Sequence, residues 1–265
     1  VERARRIEPI EPRLRWRVLT DADVEALDAA IVRTLAEVGV RFPLERALDA
    51  LERGGCPVDR ASQVAHIPEP VLRAALAAAP EAPLLAARDP RCDIVLDGSA
   101  CHLSNDGCGV AVIDPLTGER RPSTKADVAA SARFVDAVPE VSFYWGPVVT
   151  AEDVPPATRP LHELEVVFAN TSKHFQAVDV VGEKTTRRAV EMAQVAAGGS
   201  DELRRRPVMS LIACPIDPLS NEAVSLEAAL VCAEAGVPVG FLSLTLACAS
   251  APATLAGNLV VNLAA

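Results

Sequence analysis

The sequence predicts an α/β protein in which parallel strands lie under covering helices, behind a first part that is mainly helical. Three observations carry this prediction. From about Thr124 onward, apolar stretches of strand length alternate with amphipathic stretches of helical period. The strand-like stretches are apolar at successive residues, as in "PVMSLIACPI", which suits strands buried on both faces. Before Pro122 the pattern is instead helical or ribbon-like and is broken by glycine and proline. Residues 1–121 are therefore expected to form a helical and β-ribbon extension, and residues 122–265 the α/β domain.

In the first part, Thr20 followed three residues later by Asp23 is a capping-box pattern, and Leu27, Ile31, Leu35 and Val38 line one face as far as Gly39. A second helix is expected from Pro43 past Leu51 to Gly54-Gly55, and a third from Pro68 to Pro80. The pieces "CDIVLDG" and "GVAVIDPLTGERRP" read as short strands, the second a hairpin around Asp-Pro and Thr-Gly.

In the second part, Thr124 and Asp127 form another capping box for "KADVAASARFVDAV". Strand "VSFYWGPVVT" follows, then helix "PLHELEVVFAN", strand "KHFQAVDV" and a helix from Glu183 to Ala197 closed by Gly198-Gly199. Strand "PVMSLIACPI", a helix from Asn221 to Ala235, strand "PVGFLSLTLA" and a last helix opening near Pro252 complete the series. A doubly wound sheet and a (β/α)8 barrel both satisfy four such strands, and the barrel would be half present. No Gly-x-Gly-x-x-Gly and no Walker loop follows any strand, which removes the usual nucleotide-binding markers.

With 265 residues, half of them hydrophobic, the chain has enough apolar side chain for a full core. Its 26 basic and 36 acidic side chains leave a net charge of −10, which argues against a nucleic-acid partner. No apolar run reaches the roughly 20 residues a bilayer requires, so no membrane association is expected. Seven widely spaced cysteines, an odd number without a Cys-x-x-Cys, suit free thiols in a reducing cytoplasmic compartment. The chain starts without methionine or the apolar centre of a signal peptide and ends in an uncapped helix, so it is expected to be part of a longer protein.

Ligands of either α/β fold sit beyond the carboxyl ends of the strands. The residues at those ends are Tyr144, Trp145 and Gly146, then Asp179, then Cys214, Asp217 and Ser220, and last Thr245, Cys248 and Ser250. Tyr144 is the single tyrosine and offers an aromatic face to a cation or to the core. Asp217 reads first as a turn residue and secondly as a carboxylate for a ligand, and Ser220 and Asn221 read as caps of the following helix. Cys214 reads as a small buried hydrophobe or a strand-end contact. The segment "CHLSNDGCGV" matches no common zinc spacing, and its Asn105, Asp106 and glycines suit a tight loop that turns the chain or closes over a ligand. His174 is expected at the amino end of its strand, where residues serve stability. Lys125, Lys173 and Lys184, the only lysines, stand at no strand end, which argues against Schiff-base chemistry.

Four strings, "HLSNDGCGVAVIDPLTGERRPSTKADVAASARFVDAVPEV", "GPVVTAEDVPPATRPLHELEVVFANTSKHF", "SLIACPIDPLSNEA" and "ACASAPATLAGNLVVNLA", resemble in order the trimethylamine methyltransferase family of corrinoid-dependent enzymes. That resemblance implies the first half of a (β/α)8 TIM barrel behind its extension. It further implies transfer of a methyl group from a tertiary or quaternary methylamine, trimethylamine or a betaine, to the Co(I) centre of a corrinoid (cobalamin) carried by a partner protein. The expected partners are that corrinoid protein, a small methylated amine and further copies of the chain; no metal site is expected in the chain itself. The substrate contacts expected are Asp217, Tyr144, Asn105, Asp106 and Cys214, with no catalytic residue assigned. Asn105, Asp106 and Cys108 stand where the family has a glycine-rich loop, and Cys248 also replaces a glycine. These replacements leave a noncatalytic scaffold as the alternative reading. Half a barrel is also expected to leave its first and fourth strands with open edges.

Overall fold

The computed structural model describes residues 7–14 and 16–265; residues 1–6 and Arg15, within the stretch examined for a signal peptide, lie outside the described residues. The first elements are α1 (Asp21–Glu37), β1 (Val40–Arg41), α2 (Glu45–Arg53), β2 (Val58–Asp59), β3 (Val64–Ala65) and α3 (Glu69–Ala78). Short strands β4 (Leu84–Leu85), β5 (Ile94–Val95), β6 (Leu103–Ser104), β7 (Ala111–Ile113) and β8 (Arg120–Pro122) come next. The alternating part holds α4 (Lys125–Ala137), β9 (Val141–Trp145), α5 (Arg159–Asn170), β10 (His174–Ala177) and α6 (Glu183–Ala197). It continues with α7 (Ser200–Arg205), β11 (Met209–Ala213), α8 (Ala223–Ala235), β12 (Val239–Phe241) and α9 (Leu255–Ala264).

The described residues form two compact units, one of residues 7–13, 82–212 and 231–240, the other of residues 14, 16–81, 213–230 and 241–265. In the second unit, α1 opens on the expected capping box between Thr20 and Asp23. Its Leu35 joins Val40 and Ala264 in a buried core completed by Ile31, Phe42, Ile67, Leu72 and Leu219. Val38, assigned to the same face, is the C-cap residue and is exposed, because the helix ends before the stripe reaches it. Strands β1, β3 and β2 pair antiparallel in that order. Helix α9 starts later than Pro252: Thr254 is its N-cap and accepts the Gly257 N–H.

In the first unit, five strands stand in the order β12-β11-β10-β9-β6. β10 pairs in parallel with β9, Phe175 opposite Tyr144, and with β11, Phe175 opposite Met209. α4 begins at a capping box of Thr124 and Asp127, where the Arg121 guanidinium, followed by Thr124, holds the Asp127 carboxyl far below the usual carboxylate range. It buries Val128, Ala132 and Val135, while α5 buries Leu164, Val167 and Phe168. Each large apolar side chain removed from water contributes roughly 1.5–3 kcal/mol, which is what holds these helices on the sheet. Phe168 meets Phe175 edge-on with centroids 6.0 Å apart. The hairpin read around Asp-Pro and Thr-Gly forms as β7 paired with β8.

The parallel, helix-covered strands behind helices and ribbons form the first half of a (β/α)8 barrel with its extension. One expectation is corrected. The outer edge of β9 is not open: β6, from a segment read only as loop, pairs with it in parallel, Leu103 opposite Val141 and Ser104 opposite Phe143. β12 is also shorter than "PVGFLSLTLA" suggests, because residues beyond Phe241 leave the ladder.

Candidate functional site

The carboxyl end of β9 carries a built loop. Asn105 substitutes for a neighbouring strand: its Oδ1 accepts the Trp145 N–H at 3.1 Å, and its Nδ2 donates to the Trp145 carbonyl at 2.6 Å. Beyond it, the Cys108 N–H donates to the Pro147 carbonyl, the Gly109 N–H to Val148, and the Thr150 N–H returns to Gly109. Residues 105–109 are thereby laced along residues 145–150. The approach is close at Gly107, where a Cβ would lie 2.9 Å from the Pro147 oxygen and 3.3 Å from the Trp145 ring. Exposed Asp106 folds back to accept the Gly107 N–H. Cys108 sits at φ +66°, a left-handed conformation that costs a non-glycine residue on the order of 1–2 kcal/mol.

Tyr144 supports this mouth from beneath. It is wholly buried, 5.8 Å centroid to centroid from Phe175. Its hydroxyl accepts the Val148 N–H at 3.0 Å and lies 2.8 Å from Ser131 Oγ. Because the Ser131 hydroxyl donates to the Val128 carbonyl, the tyrosine proton is directed to Ser131. Burial raises the Tyr144 pKa above the ordinary phenol value.

The Cys108 thiol points to Asp179, with Sγ 3.8 Å from Oδ2. Cys108 is exposed as a residue, but partial desolvation of its thiol, then the charges of Asp179 and Glu163, push its pKa up to about 11, which favours the neutral thiol at physiological pH. Glu163 is the residue sequence reasoning missed. It is only 3% exposed, and its Oε1 accepts the Ala151 N–H at 2.7 Å. Burial drives its pKa up to about 7; the Ala151 bond opposes that rise, while the charge of Asp179 adds to it. The available signal was its place on the apolar stripe of α5, beside Leu164 and four residues before Val167. At the opposite end of the strands, His174 and Lys173 are buried; the His174 ring bonds the Ala86 carbonyl and the Ser210 hydroxyl.

Cys214 and Asp217 belong to the other unit. Cys214 is exposed. Asp217 accepts the Ser243 hydroxyl at 2.9 Å and the Leu244 N–H at 3.1 Å. Both donors are neutral, so the carboxylate pins the segment after β12 while its charge stays uncancelled. Ser220 and Asn221 do not act as the caps foreseen for them: Ser220 exchanges backbone hydrogen bonds with Ile216, and the Asn221 N–H and side-chain amide both turn to the Arg41 carbonyl. Asp217→Ala removes both acceptors, and the Leu244 N–H has no alternative orientation, whereas Asn keeps its oxygen on Leu244 and donates its NH2 to the Ser243 hydroxyl. Faster hydrogen exchange at the Leu244 amide, by about fivefold or more with the fold retained, is the expected result, since a lost hydrogen bond is worth about 1 kcal/mol.

The strand-end loops of the first unit thus gather carboxylates, a thiol and backbone amides. Among the described residues, no group of three or more His, Cys, Asp or Glu is arranged to hold a metal ion. A family model described as Trimethylamine methyltransferase (MTTB) matches residues 3–265. Trimethylamine methyltransferase MttB of Desulfitobacterium hafniense is 36% identical over 243 residues, covering 92% of this chain and 49% of that protein. The Methanosarcina barkeri protein of the same name is 28% identical over 248 residues, with 92% and 50% covered. Glycine betaine methyltransferase of Desulfitobacterium hafniense is 28% identical over 245 residues, again with 92% and 50% covered. The chain spans about half the length of these curated relatives.

Proposed function

The chain belongs to the trimethylamine methyltransferase family, and from that premise we propose that its protein transfers a methyl group from a tertiary or quaternary methylamine, trimethylamine or a betaine, to a corrinoid carried by a separate protein. The observation that supports the reading beyond family membership is the acidic group at the carboxyl ends of β9 and β10, where the Cys108 thiol lies 3.8 Å from the Asp179 carboxylate and Asp106 is exposed on the same loop. A quaternary ammonium has no N–H to donate. It is held by opposite charge and by polarisable surface, and carboxylates beside a neutral thiol offer both. This donor set suits the ammonium, and the corrinoid is assigned to the partner.

The corrinoid, when docked, supplies a Co(I) nucleophile. The chain's own tasks are then to orient the ammonium, exclude water and stabilise its charge until transfer. Asn105 fixes the loop on β9 so that Asp106 and Cys108 keep their places, and Tyr144 holds Val148 beneath it. Asp217 is proposed as a carboxylate contact for substrate within the second unit, with Cys214 on the same joint.

The test is demethylation of substrate by the full-length protein with reduced corrinoid protein. Trimethylamine, glycine betaine, carnitine and proline betaine are supplied in turn, and the demethylated amine is followed by NMR. Product from at least one is expected. None from any, with a partner shown to be active, overturns the reading in favour of a noncatalytic scaffold.

A further inference from the structure

The first unit carries an apolar knob and an apolar groove that take no part in the strand-end loops. The knob is the turn of the β7–β8 hairpin, residues 114–119. Leu116 on this turn is 93% exposed, and among the described residues no large apolar side chain is more so. An exposed leucine on a loose loop would be ordinary, but this turn is held firmly. Asp114 Oδ1 accepts the Leu116 and Thr117 N–H groups at 2.9 and 2.8 Å, and the Gly118 N–H donates to the Asp114 carbonyl at 2.8 Å with Gly118 at φ +73°. All three donors are neutral, so the Asp114 charge stays uncancelled. Glu119 adds a second negative charge: among the described residues its carboxylate has no hydrogen-bonded partner, and neighbouring Arg121 is committed to Asp127 at 2.7 and 2.8 Å. The groove lies between α5 and α6. Its volume is about 420 Å³, and Phe168, Ala169, Met192, Val195 and Ala196 form its apolar lining, with Val195 84% exposed. Two charged side chains complete it. Glu165 is cancelled by Lys125 at 2.6 Å, whereas Arg88 has no partner among the described residues, so the groove is left positive on a chain of net charge −10.

We propose that the hairpin turn of one copy of this chain seats in the α5–α6 groove of a second copy, with Leu116 against Met192 and Val195 and with Glu119 paired to Arg88. What selects a second copy as the occupant is complementarity of both kinds: the knob is apolar and acidic, the groove apolar and basic, and each leaves unpaired the charge that the other supplies. The hydrogen bonds within the turn fix its shape before contact, so little conformational freedom is lost on docking. The contact joins two different patches. Each copy in a pair therefore keeps one free knob or one free groove, and further copies add head to tail until a ring closes or a filament runs on. Water leaves the two apolar surfaces together, which neither copy achieves alone.

The experiment is sedimentation velocity of the full-length protein over a range of concentrations. Association beyond the single chain is expected in the unmodified protein. Leu116→Asp and Val195→Glu each place a charge at an exposed position, so the fold is retained, and each should weaken the association by about tenfold or more, the loss of one buried aliphatic contact. The two variants mixed should then associate with each other, because the first keeps its groove and the second its knob, and growth should stop at the pair. Arg88→Glu and Glu119→Arg should each weaken association, and the double variant should regain it through the reversed pairing. A single-chain mass for the unmodified protein at every concentration overturns the proposal. So does an assembly that either Leu116→Asp or Val195→Glu leaves intact, which would place the contact on another surface, and so does a failure of the two variants to associate when mixed.

Discussion

Lys173→Met is expected to destabilise the protein by about 3–5 kcal/mol, the range seen when a buried hydrogen-bonded charge network is broken. Lys173 is 3% exposed, and its three ammonium hydrogens meet three backbone carbonyls, those of Val135, Val138 and Val141, at 2.7, 2.6 and 2.5 Å. Two of these belong to the end of α4, where carbonyls lack helical partners and the helix dipole favours a cation; the third starts β9. A single side chain at the start of β10 therefore joins α4 to two strands. Methionine reproduces the stem but takes a donor from all three carbonyls, of which Val138 keeps the Val141 N–H, at roughly 1–3 kcal/mol for each left unpaired before relaxation. Urea unfolding measures the loss. A change below about 1 kcal/mol would mean that water replaces the ammonium.

The second large effect is a slope hidden by cancellation. His174 is wholly buried, with Nδ1 donating to the Ala86 carbonyl and Nε2 accepting from Ser210; burial pushes its pKa down to about 4. Its folded pKa lies below its unfolded value, so the unfolded chain binds the extra proton, and stability falls as pH drops from about 6.5 towards 4. Glu163 behaves oppositely. Its folded pKa lies above its unfolded value, so its cost is full above pH 7 and disappears as pH falls towards 4.5. Each shift corresponds to roughly 3 kcal/mol, and the two nearly cancel between pH 7 and 4.5. In Glu163→Gln the histidine acts alone. The variant should match or exceed the stability of the unmodified protein at pH 8 and lose roughly 3 kcal/mol by pH 4.5, read as the urea midpoint against pH. A flat profile in the variant would show that His174 does not carry the acid sensitivity.

The helices were legible because their signals are local. Thr20 with Asp23 and Thr124 with Asp127 start helices as read, and Gly198 in a left-handed conformation ends α6. The strands of the barrel half were legible from continuous apolar runs. β6 was not, since Leu103 and Ser104 are exposed and carry no run at all; their pairing comes from Val141 and Phe143, far along the chain. In the site, the loop's existence was readable but its anchoring was not, because the bonds that fix Asn105 run to the backbone of Trp145, which no side-chain pattern announces. Two cysteines were the most informative departures from the family pattern. Cys108 and Cys248, which the resemblance sets against glycines, each stand at φ +66°, the left-handed conformation that suits glycine.

The lacing of the loop onto β9 also has an optical consequence. The protein has two tryptophans. Trp16 is 82% exposed and emits from water, while Trp145 is half-buried with Gly107 against its ring. An aqueous quencher such as iodide is expected to extinguish the first and spare the second, whose remaining emission then reports on the loop packed against it. The polypeptide thus carries its own fluorophore at the mouth, with no label to perturb it.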